Sequence, residues 1–420
     1  DKAVRRILSL KFQMGLFDDP FVDEKQAVQL VASSEHTGLA REVARQSIVL
    51  LKNKDKLLPL KKDIRTLAVI GPNADNVYNM LGDYTAPQAD GTVVTVLDGI
   101  RQKVSKETRV LYAKGCAVRD SSRTGFKDAI ETARNADAVV MVMGGSSARD
   151  FSSEYEETGA AKVTINQISD MESGEGYDRA TLHLMGRQLE LLEEISRLGK
   201  PVVLVLIKGR PLLMEGAIQE AEAIVDAWYP GMQGGNAVAD VLFGDYNPAG
   251  RLTLSVPRSV GQLPVYYNTR RKGNRSRYIE EPGTPRYPFG YGLSYTTFSY
   301  TDMKVQVTEG SDDCRVDVTV TIQNQGTADG DEVAQLYFRD DVSCFTTPAK
   351  QLRAFSRIHL KAGESREVTF TLDKKSLALY MQEGEWVVEP GRFTIMVGGS
   401  SEDIACRQAF EINRKYTFKM

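Results

Sequence analysis

Cysteine, histidine and tryptophan are scarce in this 420-residue chain, at four, three and two residues. Cys116, Cys314, Cys344 and Cys406 are widely spaced and form no C-x-x-C, and His36, His183 and His359 do not cluster with them. That spacing speaks against a zinc site. The thiols read as buried or half-buried. Cys314 and Cys406 both fall in strand-like segments and are candidates to pair, so cysteine usage leaves the compartment open. Positive charge is not in excess: the formal net charge is −3, which supplies no field for nucleic acid. No apolar run approaches the ~18–20 residues of a membrane-spanning helix. No signal peptide and no initiator Met open the chain. Phosphate-binding loops are absent too. IGPNAD (70–75) follows an apolar stretch but lacks both G-x-G-x-x-G and G-K-[ST]. GGSSARD (144–150) is no G-x-S-x-G elbow, and no histidine is obviously placed for it, so a serine hydrolase is not indicated.

What is present is ordinary globular composition. Hydrophobic residues make up 42% and charged residues 26%, enough apolar material for more than one core. At roughly 100–200 residues per domain, the length suggests two or three domains. The opening DKAVRRILSLKFQMGLF carries Val4, Ile7, Leu8 and Phe12 at helical spacing without a capping lead-in. It reads as the start of a piece cut from a longer chain.

From residue 36 a helix-then-strand pattern sets in. HTGLAREVARQSIVLLKN (36–53) reads as a helix running into a strand. TLAVIGPNAD (66–75), RVLYAKG (109–115), DAVVMVMGG (137–145), KPVVLVLIKGRP (200–211) and AEAIVDAWYPG (221–231) read as strands. Helices are predicted over 125–136, 179–199 and 234–245. Continuous Val/Ile/Leu strands between amphipathic helices imply a mostly parallel sheet covered on both faces. In such sheets function collects in loops at the carboxyl ends of strands. Residues 145–179 form one such loop, too long to be a bare connection.

Composition then changes. Residues 246–297 are rich in Pro, Gly and Tyr and read as a connector packed along the sheet. The basic run at 270–277 reads as part of that solvated connector. From 298 on, short alternating strands take over. CRVDVTVTIQNQG (314–326) places Val316, Val318, Val320 and Ile322 on one face, the pattern of a β-sandwich with a fibronectin type III look. The fold class is thus multidomain, an α/β sandwich followed by an all-β sandwich. The expected division is 1–35, a trailing helix and linker; 36–265, the α/β sandwich; 266–297, the connector; and 298–415, the β-sandwich.

The long loop ends in DMESGEGYDR (170–179), where Gly174 and Gly176 flank Glu175. Those glycines permit positive φ and let a ligand come close. A glutamate there can reach into a cleft and serve as a general acid if apolar walls or a second carboxylate raise its pKa. Tyr177 is a candidate wall, and Asp178 and Arg179 a candidate pair that stiffens the loop. The same residues also fit a solvated turn with its glutamate in water. Arg149 and Asp150 fit a site-lining pair or a loop brace equally well. The glycines of WYPGMQGGNAVADVLFG (228–244) fit tight strand–helix packing.

Taken in order, LSLKFQMGLFDDPFVD, ARQSIVLLKN, LLPL, LAVIGPNAD, SGEGYDR, WYPGMQGGNAVADVLFGDYNPAGRL and PFGYGLSYTTF resemble the C-terminal two-thirds of glycoside hydrolase family 3, of β-glucosidase and β-xylosidase type. The resemblance runs from about residue 1 to 412. It implies an N-terminal (β/α)8 barrel, then an α/β sandwich, then a fibronectin type III-like domain. It implies retaining hydrolysis, with an Asp nucleophile on the barrel and a Glu acid/base on a loop of the sandwich. Glu175 is the matching glutamate and Glu172 its rival. Arg149, Asp150 and Tyr177 would border the leaving-group side and bind substrate. The departure is the barrel, which these residues do not include. The resemblance therefore implies no hydrolysis by this chain alone. It also implies a β-linked glycoside or oligosaccharide as substrate, the barrel as partner, no metal or organic cofactor, no nucleic acid or membrane partner, a periplasmic or secreted location, and the possibility of a homodimer. A non-catalytic carbohydrate-binding module is the alternative from another class. It has no need of a carboxylate between glycines, and Trp228 and Trp386 offer it few platforms.

Overall fold

The computed structural model describes residues 1–148, 170–270, 278–381 and 384–419. Two helices come first, α1 (Lys2–Gln13) and α2 (Glu24–Leu30), and neither buries a residue. Asp23 caps α2 by accepting hydrogen bonds from the backbone of Lys25 and Gln26. The apolar side chains of Val4, Ile7, Phe12, Phe21 and Val28 all stand exposed.

Helix α3 (Ser34–Ser47), capped by Ser33, runs directly into β1 (Val49–Asn53). Five more strands follow: β2 (Thr66–Ile70), β3 (Arg109–Ala113), β4 (Ala138–Gly144), β5 (Val202–Ile207) and β6 (Ala223–Trp228). The sheet order is β1-β6-β5-β4-β2-β3. All neighbours are parallel except β1, which lies antiparallel on β6. The mostly parallel sheet is thus as its apolar runs imply. Alternation along each strand divides the core in two. Leu67, Val69, Val140, Val142, Val203 and Val205 face α3, α4 (Val96–Lys103) and α8 (Gly234–Leu242). Ala68, Ile70, Val139, Met141, Val202 and Leu204 face α5 (Phe126–Arg134), α6 (Gln188–Ser196) and α7 (Glu215–Glu220).

The helix predicted over 179–199 is half that length. Only Gln188–Ser196 is helical. Gly186 sits at φ +62° with its Cα pressed toward the carbonyls of Val118 and Asp120, where a Cβ would come within 2.8 Å of either oxygen. That close approach turns the chain before α6 begins. Leu252, Val256 and Tyr287 from the stretch after the sheet are buried in the core on one of its faces. The Leu293 N–H donates to the Leu50 carbonyl at 2.8 Å and caps the outer edge of β1.

The β-sandwich has one sheet of β7 (Phe298–Glu309), β8 (Cys314–Asn324) and β11 (Ser365–Asp373), in order β11-β8-β7. The other runs β10 (Gln351–Leu360), β9 (Gly330–Asp340), β14 (Gly391–Gly398) and β15 (Ile404–Ile412). A small third sheet joins β12 (Leu379–Tyr380), β13 (Glu385–Val388) and β16 (Tyr416–Lys419). Val316, Val318, Val320 and Ile322 are all fully buried, so the alternation seen in β8 is its core face. Cys314 and Cys406 do not pair. Both are free thiols, and the Cys406 Sγ instead lies 3.7 Å from the Tyr300 carbonyl oxygen.

Asp340, at the end of β9, is buried, and among the described residues its Oδ2 has no hydrogen-bond partner. Burial first, and then the nearby charge of Glu389, push its carboxyl up to about 6. In the unfolded chain an Asp titrates near ~3.9. A raised folded pKa means that the charged form weighs against folding. The penalty is absent at low pH, grows above ~3.9 and is complete once pH has passed the folded value. Asp340→Asn is expected to raise unfolding stability at pH 8 by on the order of 1 kcal/mol and to give no gain at pH 4. Urea unfolding at the two pH values checks this; an equal effect at both would contradict it.

Candidate active site

The order β3-β2-β4-β5 reverses direction between β2 and β4, the place where open α/β sheets form a crevice at strand carboxyl ends. Asn73, just past β2, is fully buried there. Its Nδ2 donates to the Gly145 carbonyl at 3.0 Å and to the Ile207 carbonyl at 3.3 Å, tying together the ends of β2, β4 and β5. Asn79 Nδ2 donates to Asn73 Oδ1 at 2.7 Å, and Ser146 Oγ donates to Asn79 Oδ1 at 2.6 Å. The Ser146 carbonyl in turn accepts from the backbone of Glu172 at 2.8 Å and Ser173 at 3.2 Å. A continuous chain of buried hydrogen bonds thus runs from the strand ends to the base of the S-G-E-G turn. Fully satisfied buried networks of this kind rigidify what they hold.

Further braces act from the sides. Asp170 Oδ1 accepts from the backbone of Val118 at 2.9 Å and Arg119 at 3.3 Å. Arg119 Nη1 donates to the Met171 carbonyl at 2.8 Å. Ser173 Oγ and the Tyr229 hydroxyl are 3.0 Å apart. Glu172 is buried and ion-paired to Arg179, with Arg210 Nε at 3.9 Å from the same oxygen. The expected Asp178–Arg179 pair is therefore not what stiffens the loop. Arg179 turns inward, to Glu172 and to the His183 carbonyl, because a buried carboxylate needs a counter-charge more than an exposed one does.

The tip behaves as its glycines suggest. Gly174 and Gly176 take φ +105° and +81°. The Tyr177 N–H donates to the Gly174 carbonyl at 3.2 Å and closes the turn. Glu175 is exposed at its apex. Tyr177 is half-buried; its ring lies beside the Arg119 guanidinium, 5.9 Å away, and its carbonyl accepts from Arg210 at 3.3 Å. Arg149 and Asp150 lie outside the described residues.

One contact escapes a reading of the sequence. The Tyr84 hydroxyl donates to Glu175 Oε2 at 2.7 Å. Tyr84 sits in the 71–95 loop after β2, 91 positions from its partner; the one local sign is the G-D-Y turn at 82–84. Among the described residues no group of three or more His, Cys, Asp or Glu is placed to hold a metal. No helix among them is long and apolar enough to cross a membrane.

Residues 48–295 match the glycosyl hydrolase family 3 C-terminal domain, and residues 332–401 match the fibronectin type III-like domain. A β-xylosidase of Formosa agariphila is 42% identical over 96% of this chain and 54% of its own length. A periplasmic β-glucosidase of Salmonella typhimurium is 38% identical over 96% of this chain and 54% of its own. Among solved structures, a β-glucosidase from Erythrobacter marinus superposes with a TM-score of 0.85 at 37% identity, covering 97% of this chain and 54% of that one. The chain thus spans about half the length of the curated relatives it matches. Domain matches, ordered motifs and superposition agree: the chain belongs to glycosyl hydrolase family 3.

Proposed function

We propose that this chain carries the acid/base half of a retaining exo-β-glycosidase site, with Glu175 as the acid/base. The observation that carries the reading is a solvent-facing carboxylate at the apex of a turn whose base is anchored in the sheet. Retaining chemistry needs two carboxyl groups about 5–5.5 Å apart. The second, an Asp nucleophile, belongs on this reading to the length of the relatives that this chain does not span, a barrel domain. The exposed apolar side chains of α1, α2 and α3, among them Ile7, Phe12, Val28 and Leu39, support a further unit covering that side. Glu175 protonates the glycosidic oxygen as the bond to the anomeric carbon breaks and the nucleophile bonds to that carbon. It then takes a proton from the water that releases the sugar. Tyr177 borders the leaving-group side.

The substrate on this reading is a glycoside with a terminal β-D-glucosyl residue. The Formosa relative, named a β-xylosidase, favours a β-xyloside as the second reading. The periplasmic Salmonella relative supports a periplasmic or secreted location. The test compares this chain alone with the same chain extended to the full length of its relatives, on aryl β-glucosides and β-xylosides. The first-formed sugar is read by NMR. The extended chain is expected to release the β-anomer first, and the chain alone to release none. Cleavage by the chain alone, or an α-anomer first, contradicts the proposal.

A further inference from the structure

Tyr84 takes φ +59°, a left-handed backbone that a bulky L-residue adopts only under constraint. The constraint is visible in the two residues that precede it. The Tyr84 N–H donates to Asp83 Oδ1 at 2.8 Å. The preceding Gly82 lies against the Tyr229 ring, where a Cβ would come within 3.0 Å of Cδ2. Tyr229 is the residue whose hydroxyl meets Ser173. Just upstream, Asn79 belongs to the buried chain that ends on the Glu172 and Ser173 amides. The Gly231 N–H donates to the Met80 carbonyl at 2.9 Å. The loop that carries Tyr84 and the turn that carries Glu175 thus share one framework. At its far end a disfavoured backbone delivers a phenol to one carboxylate oxygen.

We propose that Tyr84 is a positioning residue for Glu175, orienting its carboxyl group through the hydrogen bond to Oε2. The inference rests on the reading of Glu175 as acid/base. With Oε2 held by Tyr84, the carboxyl group is pre-oriented to give its proton to the glycosidic oxygen and later to receive one from water. Tyr84 keeps its own proton throughout. Strained backbone at a working group is where such pre-organisation is found.

The test uses the chain extended to the full length of its relatives. Tyr84→Phe removes one hydroxyl and keeps the ring and the backbone demand. Two substrates are compared: a disaccharide, whose leaving group must be protonated, and a 2,4-dinitrophenyl glycoside, whose phenolate leaves unaided. Tyr84→Phe is expected to lower kcat/KM for the disaccharide about tenfold, the scale of one hydrogen bond to a charged group. For the activated glycoside it is expected to leave kcat/KM within about twofold. In a Glu175→Ala background the same change is expected to cost nothing further, because coupled residues are not additive. Equal losses on both substrates, or no loss on either, overturn the inference while leaving Glu175 in its role if Glu175→Ala is itself selective for the disaccharide. If Glu175→Ala is not selective, both readings fall together.

Discussion

Glu175→Ala, in the chain extended to the full length of its relatives, is expected to lower kcat/KM for disaccharides and alkyl β-glycosides by about 10²–10⁴-fold, the range general acid catalysis contributes. Substrates with strongly activated aryl leaving groups should lose far less, because their departure needs no proton. Stability should hardly change. The side chain is exposed at the apex of the turn, and surface substitutions of this kind stay within about 0.5 kcal/mol. The contrast between leaving groups matters more than the size of the loss. A residue that only binds sugar, or only shapes the loop, weakens both substrate classes together. Denaturant unfolding beside the two kinetic series separates these cases.

Glu172→Ala should behave in the opposite way. Its carboxylate is buried against the Arg179 guanidinium, whose side chain is only 6% exposed, with Arg210 close by. Removing the acid strands a buried cation. Breaking a buried pair from one side costs about 3–5 kcal/mol, and urea unfolding of this chain should show a loss of that order. Activity in the extended chain should fall for activated and unactivated substrates alike, since the turn beneath Glu175 loses its brace. A stable Glu172→Ala protein with a loss confined to poor leaving groups would instead mark Glu172 as the acid.

The sheet strands were legible because buried parallel strands are written as unbroken Val, Ile and Leu, as in VVLVLI (202–207). The β-sandwich was legible from alternation, and β8 buries the predicted face. Positive φ at Gly174 and Gly176 was readable from residue type alone. What was not legible depends on distant parts of the chain. Residues 179–187 have helical composition, but the approach of Gly186 to the 118–120 backbone turns them aside. Arg179 has an acidic neighbour in sequence and a buried one in space, and burial decides between them. Helix α4 is too short for a clear apolar period, although Thr95 and Asp98 mark its start and Thr95 Oγ1 accepts from the Asp98 N–H at 3.2 Å. Tyr84 reaches Glu175 only through the fold, because their loops leave adjacent strands, β2 and β4.

The most direct test of Glu175 as acid/base is to add azide to Glu175→Ala in the extended chain, with an activated β-glycoside as substrate. Azide attacks a glycosyl–enzyme intermediate without needing a base, and the emptied carboxylate position leaves it room. The account predicts faster turnover with rising azide and a β-glycosyl azide as the product. Turnover unmoved by azide, with free sugar as the only product, would contradict it.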